Sequence, residues 1–117
     1  MVGIDIVKNQ RIREAVERFG ERFLKRVYTE AEIAYCRGQE AYYECLSARW
    51  ACKEAVLKAF YQSYGMVLKF SEIEVLGNRG RPAQVRILKK GFENVKILVS
   101  LSHEKEFSVA VAYVLKE

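Results

Sequence analysis

Cys45-Leu46-Ser47-Ala48-Arg49-Trp50-Ala51-Cys52-Lys53-Glu54-Ala55-Val56-Leu57-Lys58-Ala59-Phe60 is the stretch that decides the fold. It lies within a run from Ala41 to Tyr61 that holds no glycine or proline and stops before Gly65, so it predicts one long helix. Its only charged residues are Arg49, Lys53, Glu54 and Lys58. Apolar side chains therefore point in most directions, and much of this helix has to be buried. Glu54 and Lys58 stand one turn apart on one stripe, with Ser47 nearly in line. Arg49 and Lys53 share a second stripe roughly 120° away. A Glu four residues before a Lys is also an ordinary surface pair. In a helix with so little face left for water, however, such ions need partners or a ligand.

Upstream of this helix, Val2 to Val7 reads as a short strand whose apolar set, Val2, Ile4 and Ile6, is expected to face the core, with Asp5 on the other face or at the strand end. A helix is predicted from about Asn9, with Ile12, Ala15, Val16 and Phe19 on one buried stripe and Gly20 ending or bending it. Thr29 precedes Glu32 by three residues, the signature of a capping box opening a short helix near residues 30–37. Downstream, Glu72 to Leu76 and Pro82 to Leu88 read as strands around a Gly77-Asn78-Arg79-Gly80 turn. Lys96 to Ser102 and Phe107 to Leu115 form a further pair. Helices followed by an antiparallel block make this an α+β fold: one domain over residues 1–117, with a sheet packed on the long central helix and a short basic N-terminal helix.

Composition narrows the function. The 117 residues are half hydrophobic and carry a net charge of +5. No apolar run approaches the roughly 20 residues of a membrane span, and the N-terminus lacks the basic and apolar regions of a signal peptide, so a cytoplasmic protein is expected. Seven basic residues (Lys8, Arg11, Arg13, Arg18, Arg22, Lys25, Arg26) stand against Glu14, Glu17 and Glu21, a local excess of +4. Such a segment suits an anionic partner or forms a solvated helix face. Cys36, Cys45 and Cys52 are an odd set without a C-x-x-C pair; they are expected to be reduced, small buried hydrophobes rather than a disulfide framework or zinc site.

Three places can carry chemistry. The first is the charged set on the central helix. The second is Asp5, a carboxylate within a Val/Ile strand, which is either hydrogen-bonded or part of a Mg²⁺ site together with a Glu from another element. The third is Ser100-Leu101-Ser102-His103-Glu104, which closes a predicted strand with the chain's single histidine. There is no nucleophile elbow, no Walker A loop and no G-x-G-x-x-G, so any phosphate would be gripped by side chains and backbone amides. Six Phe, seven Tyr and one Trp beside a basic segment raise nucleic-acid binding as an alternative. The predicted strands Val2 to Val7 and Lys96 to Ser102 carry no aromatics, which leaves a non-catalytic basic nucleic-acid module as the minor reading.

Together these residues resemble the holo-[acyl-carrier-protein] synthases, the small trimeric class of 4′-phosphopantetheinyl transferases. The resemblance runs through Val2-Gly3-Ile4-Asp5-Ile6-Val7, Arg11-Ile12, Phe23 to Glu32, Ala48-Arg49-Trp50-Ala51-Cys52-Lys53-Glu54-Ala55 with Lys58-Ala59, Phe70 to Val75, Gly80-Arg81-Pro82 and Leu101-Ser102-His103-Glu104. It implies transfer of phosphopantetheine from coenzyme A to a serine of apo acyl carrier protein, with release of adenosine 3′,5′-bisphosphate. It also implies that Asp5 and Glu54 hold Mg²⁺ and join Lys58 as the catalytic set, either carboxylate being the candidate base. Lys58, Arg49, Gly80, Arg81, Pro82, Ser102 and His103 are expected to bind the coenzyme. Arg11, Arg22 and Arg26 are expected to meet the acidic carrier protein, in a homotrimer with shared active sites and no nucleic acid or membrane as partner. Lys53 is expected beside Arg49, Lys58 and Arg81 among the cations facing phosphate. Cys52 stands where the family commonly has Ala, and Arg81 where it has Lys, an exchange that keeps charge but alters donor geometry.

Overall fold

The computed structural model describes residues 1–77 and 81–115. Strand β1 (Val2–Lys8) leads directly into helix α1 (Asn9–Phe19), followed by α2 (Glu21–Val27), α3 (Glu30–Arg37) and the central α4 (Tyr42–Tyr64). A single 3₁₀ turn (Phe70–Glu72) then enters β2 (Ile73–Leu76), and β3 (Gln84–Ile87), β4 (Lys96–His103) and β5 (Phe107–Leu115) follow. All pairings are antiparallel: one sheet in the order β1-β5-β4, and a two-stranded sheet of β2 and β3. The expected α+β class holds.

Helix α4 is the spine of the core. Leu46, Ala51, Cys52, Ala55, Val56, Ala59 and Phe60 are all withdrawn from water. The sheet packs against it closely because the inward rows are small: Gly3 on β1, and Ser108, Ala110 and Ala112 on β5. A Cβ on Gly3 would strike the Ala55 carbonyl oxygen, so glycine here sets the distance between strand and helix. On the other side, Trp50 stacks between Phe23 of α2 and Phe70 of the 3₁₀ turn, with ring centroids 6.0 and 4.7 Å away. Gly20, at φ 57°, separates α1 from α2 as its position suggested.

The strand β1 is turned over relative to expectation. Gly3, Asp5 and Val7 face α4, whereas Val2, Ile4 and Ile6 point outward, the last two 62% and 64% exposed. The register dictates this: with Gly3 against Ala55, the alternate row has to face away. The outward row continues across the sheet through Val109, Val111 and Tyr113 of β5 and Leu98 of β4. A broad apolar face is thereby left uncovered. Phe19 is likewise outside, half exposed, because the chain turns at Gly20 and the core contact passes to Phe23.

Two further expectations are corrected. Cys36 and Cys45 form a disulfide between the last turn of α3 and the first turn of α4, with Cα atoms 5.5 Å apart. Only Cys52 remains the small buried thiol expected. Their spacing of nine residues carries no motif, and only the antiparallel return of α4 along α3 brings them together. Lys53 faces no phosphate: its side chain is fully buried, 2.6 Å from Glu32, and its ammonium donates to the carbonyls of Val27 and Phe70. Burial pulls its pKa down, with the Glu32 carboxylate opposing. Glu32 also completes the expected capping box with Thr29 and accepts the Val75 N–H at 2.7 Å. One carboxylate thus ties α3 to α4 and β2.

Candidate functional site

The close approach of β1 to α4 creates the first constellation. Asp5 points toward α4 beside Glu54 and Lys58, one turn apart on that helix. The Lys58 ammonium donates to the Ile4 carbonyl at 2.9 Å and lies 3.2 Å from Asp5 Oδ1, so the carboxylate within the strand is paired as its cost requires. The Glu54 carboxyl is pushed above its ordinary value, chiefly by burial and then by the negative charge of Asp5, with Lys58 pulling the other way. A half-buried carboxylate whose charge is disfavoured beside a second carboxylate forms a place where a hard cation is favoured. No cluster of three His, Cys, Asp or Glu exists among the described residues. The donor set therefore fits an ion such as Mg²⁺ that keeps most of its shell for water and phosphate oxygens, and does not fit a closed structural site.

The second constellation is a cleft of about 400 Å³ between α3, α4 and the β2–β3 sheet, lined by Tyr35, Arg49, Val75, Gly77, Arg81 and Pro82. It continues past Val99, Ser100 and Leu101 of β4. Arg49 is only 7% exposed. Its guanidinium stacks over Tyr35 at 4.4 Å and donates to Cys45 Sγ at 3.6 Å, while Nε has no hydrogen-bond partner among the described residues. Burial lowers its pKa, and Glu32 and then Tyr35 oppose that shift. A buried guanidinium with an unused donor at a cleft is chemically suited to an anion. Arg81 and Pro82 line this cleft together with Arg49, whereas Gly80, also expected at the coenzyme, falls outside the described residues.

The two constellations do not merge within one chain. Arg49 and Glu54 point about 140° apart around α4. Ser102 and His103 are exposed at the end of β4, two strands from β1 and so roughly 10 Å across the sheet from the Asp5 row. The hairpin carrying them is anchored by Asn9, whose amide donates to the Glu104 and Lys105 carbonyls at 2.8 and 3.1 Å and accepts from Ser108 Oγ at 2.7 Å.

Basic residues form a third feature. Arg22 and Arg26 flank a shallow hollow of about 280 Å³ with Phe19 and Phe23. Arg11 is exposed on α1, and Arg13 is engaged by Glu17 and by the ring of Tyr43. The sequence reading had missed Tyr35 as a lining residue, since only the return of α4 along α3 places it under Arg49. It had also missed Gly3, although a lone glycine in a Val/Ile strand is a signal of close backbone approach.

Residues 1–112 match the model of the 4′-phosphopantetheinyl transferase superfamily. The chain is 55% identical to the holo-[acyl-carrier-protein] synthase of Aquifex aeolicus, covering 100% of this chain and 99% of that protein. Against the corresponding synthase of Hydrogenobaculum the identity is 48%, over 100% and 97%. Among solved structures, the Helicobacter pylori holo-[acyl-carrier-protein] synthase in complex with coenzyme A superposes with a TM-score of 0.83. Its identity is 30%, over 98% of this chain and 100% of that one.

Proposed function

The chain belongs to the 4′-phosphopantetheinyl transferase superfamily, and from that premise we propose how its residues divide the reaction. It transfers 4′-phosphopantetheine from coenzyme A to a serine of apo acyl carrier protein, leaving adenosine 3′,5′-bisphosphate. The observation that carries the assignment of roles is the convergence of Asp5, Glu54 and Lys58 at the β1–α4 crossing.

In this reading Asp5 and Glu54 hold Mg²⁺, and Lys58 adds a positive charge where the pyrophosphate lies. When bound, the ion supplies charge neutralisation to the phosphates. The carrier serine oxygen attacks the phosphorus bearing the pantetheine arm, and the bond to the adenosine bisphosphate breaks. The hydroxyl proton passes to Asp5 or Glu54, directly or through water. Arg49 and Arg81 grip phosphates of the coenzyme in the cleft, with Pro82 beside them, and Ser102 and His103 add contacts from the hairpin.

The separation of these groups supports sites shared between copies. Each chain presents its carboxylates and its Arg49 cleft in different directions, and the uncovered apolar face of β1-β5-β4 offers the surface through which copies can meet. Packed as a homotrimer, one subunit's Arg49 cleft and His103 complete a neighbour's carboxylate site. Arg11, Arg22 and Arg26, with exposed Phe19 among them, form the landing face for an acidic carrier protein. A cytoplasmic place of action belongs to the same proposal.

The test is intact mass of apo carrier protein incubated with the chain, coenzyme A and Mg²⁺. A gain of one phosphopantetheine unit, lost on chelation, supports the assignment. Transfer that proceeds undiminished in excess chelator removes the metal, and an unchanged mass with several carrier proteins removes the reaction. The alternative of a nucleic-acid module gains nothing from the structure, since the basic helix carries its aromatics in a hollow suited to a protein surface rather than in a stacking sheet.

A further inference from the structure

We infer that the Cys36–Cys45 disulfide is a positioning element of the coenzyme cleft: it fixes Tyr35 and Arg49 relative to each other, so that affinity for the adenosine bisphosphate part depends on the oxidation state of this pair. The inference rests on the assignment of the Arg49 cleft to the coenzyme.

The geometry is specific. Arg49 has two side-chain neighbours that orient it, and each adjoins the disulfide. One is Cys45 Sγ itself, one helical turn before Arg49, at 3.6 Å. The other is the ring of Tyr35, the residue next to Cys36, at 4.4 Å from the guanidinium carbon. Both sulfur-bearing residues are buried, and the bond joins the end of α3 to the start of α4 across a nine-residue separation. The buried Glu32–Lys53 pair ties the two helices together further along, but the junction itself is lightly capped. The N-cap of α4 is Ala41, which offers no side-chain cap, and α3 ends at Gly38. Among the described residues Arg49 is held by no ion pair, and its Nε has no partner. The direction in which this guanidinium meets a phosphate is therefore set by Tyr35 and Cys45, and their mutual placement by the covalent bond.

Reduction changes that bond alone. A dithiol reductant gives up two electrons and two protons and becomes its own cyclic disulfide, while the Cys36–Cys45 bond becomes two thiols. Cys52 does not take part: it is buried, and burial pushes its thiol up to about 12, so it is protonated and unreactive in the native protein. Freed, the end of α3 and the start of α4 shift at their junction while the buried Glu32–Lys53 pair still holds the helices further along, so Tyr35 moves relative to Arg49 and the cleft loses its fixed cation. The carboxylate site at β1 lies on another side of α4 and keeps its geometry.

Thiol counting and calorimetry test this together. The chain has three cysteines, so denatured, unreduced protein is expected to show one free thiol and dithiothreitol-treated protein three. Binding of adenosine 3′,5′-bisphosphate, which has no thiol of its own, is then measured on oxidised protein, reduced protein and the Cys36→Ala/Cys45→Ala variant. Reduction and the double variant are expected to weaken binding about fivefold or more, the scale of a loosened hydrogen bond to a charged group. At saturating coenzyme A, kcat should stay within about twofold, because the loss is in coenzyme binding and not in the reacting groups. Reduced wild-type protein serves if the double variant does not fold. Three free thiols before reduction overturn the proposal, as does an affinity that ignores reduction while Arg49→Ala weakens it. If Arg49→Ala leaves bisphosphate binding unchanged, the cleft assignment itself fails, and the proposal with it.

Discussion

Glu32 and Lys53 meet at 2.6 Å with neither side chain reached by water. A buried pair like this contributes little net stability over apolar residues, but removing one member strands the other's charge. Lys53→Met is therefore expected to cost about 3–5 kcal/mol, read from the urea midpoint. Adding Glu32→Gln should return part of the loss, because no buried charge then stands alone. A double variant no more stable than Lys53→Met would show that the pair is not what holds α3, α4 and β2 together.

Gly3→Ala is a sharper probe of the β1–α4 distance. The added methyl would meet the Ala55 carbonyl oxygen, a backbone atom unable to rotate away. A loss of about 1–3 kcal/mol is expected, with a fall in transfer rate as Asp5 shifts from Lys58. Gly38→Ala is the control, since its Cβ meets nothing closer than 3.5 Å. Equal melting temperatures for the two variants would refute the close-approach account.

Glu54→Gln should reduce transfer by about 10²-fold or more while leaving the fold intact. Its stability carries a second signature. Folding raises the pKa of Glu54 above 4.5, so the folded chain holds that proton more tightly than the unfolded one. The associated stability is fully present below the unfolded value and is lost as pH rises through the raised one. Metal-free Glu54→Gln should therefore match or exceed the parent's melting temperature at pH 7, and Mg²⁺ should raise only the parent's. A Mg²⁺-dependent shift of equal size in the variant would remove Glu54 from the ion's ligands.

The proposed sharing of sites between subunits predicts complementation. Arg49→Ala and Glu54→Gln chains, each strongly impaired alone at limiting coenzyme A, should regain activity when refolded together, because some interfaces pair an intact Arg49 with an intact Glu54. Activity confined to the sum of the two separate preparations would place both residues in one subunit's site.

The basic face predicts a salt effect. Arg22→Glu with Arg26→Glu should raise the KM for carrier protein about tenfold at low ionic strength and flatten its dependence on salt, with the coenzyme KM unchanged. A carrier KM equal to the parent's across the salt series would move the docking face elsewhere.

Much of this was legible from residue order. The uninterrupted run around Trp50 announces the buried helix, the Thr29 and Glu32 pair announces α3, and the alternation of Phe107 to Leu115 announces β5. Asp5, Glu54 and Lys58 were legible too, as ions in apolar company. What escaped was whatever depends on which surface meets which. The facing of β1 is decided by one glycine against Ala55, and hydrophobicity alone assigns Val2, Ile4 and Ile6 to the wrong side. Lys53 sits on the same stripe as Arg49, yet one ends in a closed interior beside Glu32 and the other at an open cleft, a difference made by α3 and β2. The disulfide escaped for the same reason, since nothing local in residues 36–45 signals that the helices return side by side.

The alternation along β5 gives the middle strand two audiences. Ser108, Ala110, Ala112 and Val114 answer to the fold, while Val109, Val111 and Tyr113 lie open on the far side. A slip of one residue would exchange the rows and press valine and tyrosine into the narrow gap that Gly3 keeps against α4. The spacing that closes the core thus also decides which row of β5 lies outward, so a single glycine on one strand dictates the chemistry of the sheet's far face.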